Sequence, residues 1–368
     1  MLPQKPERVS YSLERFSIRR SLLQDWKKWN LNNNVKSTWC KNSPGRWNEL
    51  STLEKVELKV TTVDYYSRNQ EFAICTHKPQ SLNSLGEELC KEPTNHVNIP
   101  LEPSGFVDGP IENNMESLLN YIKTHRDVLD DVEFVTCRQI LATAAANKNP
   151  MEIQAIKCHG KIWIRKLEES TEHLHGSVHF RDMARAASFE RRIVEEKEEN
   201  CQFTRRNGLF KTKLSQGEYG SILYPGELDA VDSSGGNVEI KSTIRDDFLR
   251  RRGPYCYWQC FLGNVEKVIL GKIKENVVQT ITIFSTEELG RKLFRGWPRF
   301  IVENGARRIR EMLNILQRNL KEDGDSVVLT RKTWVGWDFV EDSWTMEEEQ
   351  RVSENFENFV TSVFSVSQ

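Results

Sequence analysis

Two acidic clusters, Gly226-Glu227-Leu228-Asp229 and Val238-Glu239-Ile240-Lys241-Ser242, lie ten residues apart, measured from Asp229 to Glu239. Few local structures keep that many charges beside residues as apolar as Leu223, Leu228, Val231, Val238 and Ile240. A strand does, because successive side chains alternate between faces, so one face enters a core while the other carries the charges. On strands, Glu227 and Asp229 share one face, and Glu239 and Lys241 share a face of the next. The intervening Ala230 to Asn237, centred on Ser233-Ser234-Gly235-Gly236, has the composition of a hairpin loop. The expectation is therefore two adjacent antiparallel strands that bring three carboxylates and one ammonium together. The plainer reading of the same residues is a pair of charged edge strands joined by solvent-exposed salt bridges, which stabilise little.

The gathered groups have a chemistry. Hard oxygen ligands suit Mg²⁺ or Mn²⁺, and two such ions can stabilise both the attacking and the leaving oxygen of an in-line displacement at phosphorus. Lys241 adds a point charge that can orient a water, hold a phosphate oxygen, or act as a base if its pKa falls. The order E-x-D, about ten residues, E-x-K resembles the PD-(D/E)XK nuclease core. Further pieces accompany it. Phe134-Val135-Thr136-Cys137-Arg138-Gln139 and Ala187-Ser188-Phe189-Glu190 lie upstream, and Trp258-Gln259-Cys260-Phe261-Leu262 lies downstream, followed by Val265 to Gly271. From about Ile111 to Trp297, their order and spacing resemble the DXO family of RNA 5′-end decapping nucleases.

The resemblance implies that Glu190, Asp229 and Glu239 bind metal directly, that Glu227 acts directly or through a water, and that the backbone carbonyl of Ile240 completes a site. It implies two divalent ions, Mg²⁺ or Mn²⁺. It also implies that Lys241 and Gln259 hold the scissile phosphate and the water, and that Arg138, with Cys137 and Gln139 beside it, contacts the 5′ end of the substrate. Glu227, Asp229, Glu239, Lys241 and Gln259 would be the catalytic set. The implied activity is removal of defective or unusual RNA 5′ caps, including the NAD cap, the unmethylated guanosine cap and the 5′-triphosphate, with 5′ to 3′ degradation of the exposed RNA. Partners would be RNA 5′ ends and another 5′–3′ exoribonuclease. The chain departs from the family pattern at Ala187 and Ser188, where glycine and an aromatic are usual. It also has Cys260 in place of serine and Cys137 in place of a tryptophan, which removes a stacking platform. None of these removes a metal ligand. A DNA nuclease on the same core and a non-catalytic RNA 5′-end-binding or scaffold protein are the other classes compatible with the pattern.

At 368 residues and 38% hydrophobic, the chain can bury a sizeable core. The expected fold is α/β (α+β), with mixed central sheets flanked by helices. Residues 1–110 are expected as an N-terminal region packed on the core, and residues 111–368 as the catalytic core with C-terminal helices. A net charge of −1 excludes a basic coat over the whole surface. Nucleic acid would have to be drawn by local patches, for which Arg205-Arg206, Lys211 with Lys213, and Arg250-Arg251-Arg252 are the candidates. Eight cysteines include no C-x-x-C pair, and no apolar run approaches the roughly 18 residues of a membrane span. These features point to reduced thiols, no membrane, and a nuclear or cytoplasmic protein.

Periodicity places the remaining pieces. Met115, Leu118, Leu119 and Ile122 have helical spacing, and a second helix opens at Arg138. Ile153 to Cys158 and Lys161 to Leu167 alternate around His159-Gly160 as a hairpin would. Phe180 to Glu198 reads as a charged helix carrying Glu190, and Asp247 to Leu262 as a helix interrupted near Gly253-Pro254. Thr345 and Glu348 are a capping-box pair before a last helix with Phe356, Val360 and Val363 on its apolar face.

Overall fold

The computed structural model describes residues 58–69, 71–76, 80–102, 115–147, 151–167, 178–195, 205–214, 220–296, 302–331, 344–347 and 354–364. All of them belong to the compact unit Val56–Gln368. In chain order its elements begin with β1 (Leu58–Arg68), β2 (Ile74–Thr76), α1 (Ser84–Leu89), β3 (Thr94–Pro100), α2 (Glu116–Thr124), β4 (Val132–Val135) and α3 (Arg138–Ala146). There follow β5 (Met151–Cys158), β6 (Lys161–Lys166), α4 (Val178–Ile193), β7 (Arg205–Leu214), β8 (Ser221–Glu227), β9 (Ala230–Val231), β10 (Asn237–Thr243) and α5 (Phe248–Leu262). The chain ends with β11 (Val265–Lys274), β12 (Val277–Ser285), α6 (Thr286–Gly296), α7 (Val302–Asn319), β13 (Ser326–Arg331), β14 (Trp344–Glu347) and α8 (Glu354–Ser362).

Two mixed sheets organise these elements. One has nine strands in the order β14-β13-β5-β6-β4-β8-β7-β1-β2, and the other has five in the order β3-β12-β11-β10-β9. The α/β expectation holds. The described residues ahead of position 110 are woven into both sheets, since β1 pairs with β7, and β3 pairs with β12.

Alternation decides what each strand buries. Val238 and Ile240 of β10 enter a cluster with Phe189 and Ile193 of α4, so Glu239 and Lys241 project from the opposite face, as period two requires. Between the two sheets, α3, α5, α6 and α7 supply Ile140, Trp258, Leu289 and Leu313 to the main core, which Phe134, Phe210 and Tyr224 of the larger sheet and Val268 and Phe284 of the smaller sheet complete. The outer face of the nine-stranded sheet is covered by α2, through Leu118 and Ile122, and by α8, through Phe356 and Val360.

The hairpin expected at His159-Gly160 is present, with Cys158 opposite Lys161. Both turn residues have positive φ, 51° and 69°, as a two-residue turn of the primed type demands. The expected interruption at Pro254 is absent, and α5 runs through it. A proline there removes one helical hydrogen bond, but Pro254 is buried and the same helix seats Cys256, Trp258, Cys260 and Leu262 in the core. That burial outweighs a single lost bond. Thr345 lies in β14, opposite Thr330, so it does not cap the last helix, which begins at Glu354.

One correction bears directly on the site. The two acidic clusters do not lie on adjacent antiparallel strands. β8 belongs to the nine-stranded sheet and β10 to the five-stranded one. The chain crosses between them at Leu228-Asp229, and only Ala230 and Val231 form the return strand of the hairpin, paired with Val238 and Asn237. The loop is legible because its turn is real. Asp232 Oδ1 accepts hydrogen bonds from the Ser234 amide (2.9 Å), the Ser234 hydroxyl (2.6 Å) and the Gly236 amide (3.0 Å), an Asx-type turn, with Gly235 at a φ of 85°. Asp232 Oδ2 is bound by Lys267 of β11.

Burial alone would raise the Asp232 pKa, but Lys267, Ser234 and Gly236 outweigh it and hold it at about 2 against an ordinary 3.8. A carboxylate lowered in this way stabilises the fold above its unfolded pKa and loses that contribution as pH falls through about 2. Asp232→Asn should therefore lower stability by about 2 kcal/mol at neutral pH, with the gap to wild type closing between roughly pH 4 and pH 2. Urea unfolding across that range checks it, and a pH-independent gap would assign the effect to geometry instead of charge.

Candidate active site

The crossing between sheets brings β8, β10, α3, α4 and α5 to one place. Glu239 is 1% exposed, a position at which a carboxylate survives only if it is paired. Two cations pair it: Lys241 Nζ bonds Glu239 Oε1, and Arg138 Nη1 lies 3.6 Å from Oε2. Lys241 Nζ also lies 3.7 Å from Asp229 Oδ2, and that oxygen accepts a 2.6 Å hydrogen bond from the Ile240 amide. Lys241 thus sits between Asp229 and Glu239 and binds the inter-sheet crossing to β10.

The electrostatics follow from this packing. Burial pushes the Asp229 carboxyl well above its ordinary value, and the neighbouring Glu239 and Glu190 add to that, while Lys241 opposes it. Burial also acts to raise Glu239, but Lys241 and Arg138 outweigh it and hold that carboxyl low. Lys241 and Arg138 are both raised by these carboxylates against the effect of their own burial. Glu190, half-buried on α4, is within electrostatic range of Asp229.

Glu227 stands apart. It is at the exposed end of β8, and its Oε2 is 3.2 Å from Arg205 Nη1 on the neighbouring β7. It and Asp229 do not share a strand face, because Asp229 is already beyond the strand. Arg138, expected to contact the 5′ end, is engaged within the protein. Its side chain is buried and donates to the backbone carbonyls of Glu227 and Gln259, the latter at 3.4 Å, which fastens β8 to α5. Gly226 leaves the space for it, since a Cβ there would fall 2.6 Å from Arg138 Nε. Cys137 is half-buried at the start of α3, and Gln139 is exposed. Gln259 is half-buried, with its carbonyl held by Arg138.

The basic patches are partly spent within the protein. Arg250 and Arg251 pair with Asp247. Arg206 bonds the Gln80 side chain, and Lys211 donates to the Asp130 carbonyl. Arg252 and Lys213 are exposed.

Known proteins share this fold. A model of the RAI1-like PD-(D/E)XK nuclease family matches residues 59–364. The chain belongs to that family. No curated protein matches it, but solved structures of the same fold do. Rai1 of Candida albicans, in complex with pU5 and Mn²⁺, is similar with a TM-score of 0.60 at 14% identity, over 84% of this chain and 97% of that one. Rai1 of Scheffersomyces stipitis, in complex with 3′-NADP⁺ and a calcium ion, gives a TM-score of 0.59 at 14% identity over the same shares. Dxo1 of K. lactis, in complex with manganese, gives 0.58 at 11% identity over 75% of this chain and 87% of that one.

Members of a PD-(D/E)XK nuclease family use a divalent metal, and the donor set here suits a hard cation. Glu239 Oε2 is buried with no hydrogen-bond partner, and the charges of Glu239 and Glu190 raise Asp229; both are conditions that a bound cation would relieve. Among the described residues, no three His, Cys, Asp or Glu side chains converge closely enough to hold an ion as they stand. The Lys241 ammonium lies between Asp229 and Glu239 and serves as their counter-charge. Glu190, Asp229 and Glu239 are the residues that would hold the metal, with Glu227 at the rim.

The role of Gly226 is one that motif reading misses, although a glycine directly before Glu227 is the available signal. Gly226→Ala should destabilise the protein by about 1–3 kcal/mol through overpacking against Arg138. Chemical denaturation measures this, and wild-type stability in the variant would show that Arg138 is free to move aside.

Proposed function

We propose that the protein is a metal-dependent hydrolase of RNA 5′ ends, removing non-canonical or incomplete caps, with Mg²⁺ or Mn²⁺ as the metal. The observation that carries this reading is the constellation of buried Glu239 with half-buried Asp229 and Lys241, and Glu190 beside it, at a seam between two sheets. Two cations and three carboxylates in a water-poor place are costly to maintain for stability alone, since apolar residues of similar volume would pack there as well or better. Perturbed titration in such a cluster is more characteristic of a reaction centre. The ligands bound to the fold relatives, pU5 with Mn²⁺ in one and 3′-NADP⁺ with calcium in another, support an RNA 5′ end and a nucleotide cap as the substrate class.

When bound, the metal supplies a Lewis acid at the phosphate and a water of lowered pKa. The chain's own residues do the rest. Glu190, Asp229 and Glu239 present oxygen ligands. Lys241, once released from its carboxylates by the metal charge, is placed to hold a phosphate oxygen. Arg138 keeps Glu239 ionised and fixes Gln259 against β8. The proposed set retains the Ile240 backbone carbonyl as a metal ligand, and Cys137 and Gln139 beside Arg138 as contacts to the 5′ end. Another 5′–3′ exoribonuclease is the proposed protein partner, and nucleus or cytoplasm the proposed location.

The test incubates wild type with RNAs bearing a 5′-monophosphate, a triphosphate, an unmethylated guanosine cap or an NAD cap, in Mg²⁺, Mn²⁺ or EDTA, with products resolved by mass. Wild type should release a cap or 5′ nucleotide only with metal. Glu227→Ala and Asp229→Asn should lower turnover on the order of a hundredfold or more. Glu227→Ala should fold normally because its side chain is half exposed. Glu239→Ala should also unfold more easily, by about 3–5 kcal/mol, because it leaves the buried Arg138 without its carboxylate and Lys241 with Asp229 alone. Intact RNA in every metal, with 5′-end binding retained, would overturn the hydrolase in favour of a binding protein.

A further inference from the structure

Tyr255 is the residue of the site that neither the family motifs nor the metal chemistry accounts for. It lies on α5 one turn before Gln259, and Arg252, Tyr255 and Gln259, at i, i+3 and i+7, share one face of that helix. Its ring packs against the main core together with Cys137. Its phenol lies within electrostatic range of Arg138, Cys137, Lys241 and Glu239, and so beside the carboxylate cluster.

Tyrosines that bury their rings find partners for their hydroxyls, and this fold obeys the rule elsewhere. Tyr65 bonds Asn237, Tyr66 bonds Ser117, Tyr121 bonds Asp64, and Tyr224 donates to the Leu262 carbonyl. The Tyr255 hydroxyl makes no hydrogen bond among the described residues, and it is not among the atoms sealed from solvent without a partner. Tyr255 is half-buried, so its hydroxyl is a donor left for water or a ligand. The cations beside it cannot satisfy it, because guanidinium and ammonium groups have no acceptor. The nearby Glu239 carboxylate is bonded by Lys241 at Oε1 and faces Arg138 3.6 Å from Oε2, and the Tyr255 hydroxyl makes no hydrogen bond to it. A ligand can supply that acceptor in place of water, and Lys241, which a bound cation would free from Asp229 and Glu239, favours an anionic one.

We propose that the Tyr255 hydroxyl donates a hydrogen bond to a phosphate oxygen at the RNA 5′ end, beside Lys241, so that Tyr255 is a substrate-binding residue that distinguishes a phosphorylated 5′ end from a 5′-hydroxyl. This rests on the 5′-end reading above. It also gives the site an aromatic ring next to Cys137, the position where the usual tryptophan is missing.

The test compares wild type with Tyr255→Phe, which keeps the ring and removes only the donor. Dissociation constants are measured by fluorescence anisotropy in Ca²⁺ for two RNAs of one sequence, one 5′-monophosphorylated and one 5′-hydroxyl, and melting temperatures are compared as a check on folding. Wild type should prefer the phosphorylated RNA. Tyr255→Phe should lose roughly tenfold in affinity for it, as expected for a hydrogen bond to a charged acceptor, and should bind the hydroxyl RNA unchanged. An unchanged preference in Tyr255→Phe, or equal weakening toward both RNAs, would overturn the role of Tyr255 and leave the 5′-end reading standing. A wild type indifferent to the 5′ phosphate would overturn both.

Discussion

A single buried carboxylate sets the terms for the rest of the site. Glu239 must be ionised to bind a cation, and a charge so far from water is tolerated only with compensation close by. Lys241 is two residues along the same strand face, and Arg138 arrives from α3. Each of these cations in turn needs somewhere to place its remaining donors. Arg138 uses the carbonyls of Glu227 and Gln259, which ties β8 to α5. Lys241 uses Asp229, which ties the crossing segment to β10. The elements around the site are therefore joined through charge, where the outer faces of both sheets are joined by apolar packing.

Local chemistry makes part of this legible. The alternation of Val238, Glu239, Ile240 and Lys241 is decided by strand geometry alone, so the shared face of Glu239 and Lys241 follows directly from the order of the residues. The His159-Gly160 turn is equally plain, because few residues accept two successive positive φ values. Family resemblance supplies Glu190 and Arg138, whose distance in sequence from the acidic clusters gives no hint of proximity.

What stays hidden is what depends on tertiary context. A chain that leaves one sheet at Glu227 and joins another at Ala230 has the same local composition as one that merely turns back, and the Asp232 turn imitates a full hairpin. The inward course of Arg138 depends on space at Gly226, a glycine with no local reason to be one. The continuity of α5 through Pro254 depends on what its far end buries. Asp232 itself is concealed by the loop composition around it, though an aspartate two residues before a serine is a recognisable turn initiator.

The seam has a consequence for how the protein would fail. Its charged groups come from positions 138, 190 and 227 to 241, and from both sheets, so neither half of the architecture holds a partial version. A species with all its helices and strands formed, but with the two sheets a fraction of a turn out of docking, would look native by its circular dichroism and be inert. Loss of activity would then come ahead of loss of secondary structure as the protein is warmed or aged, which makes the reaction itself the more sensitive gauge of whether a given preparation is intact.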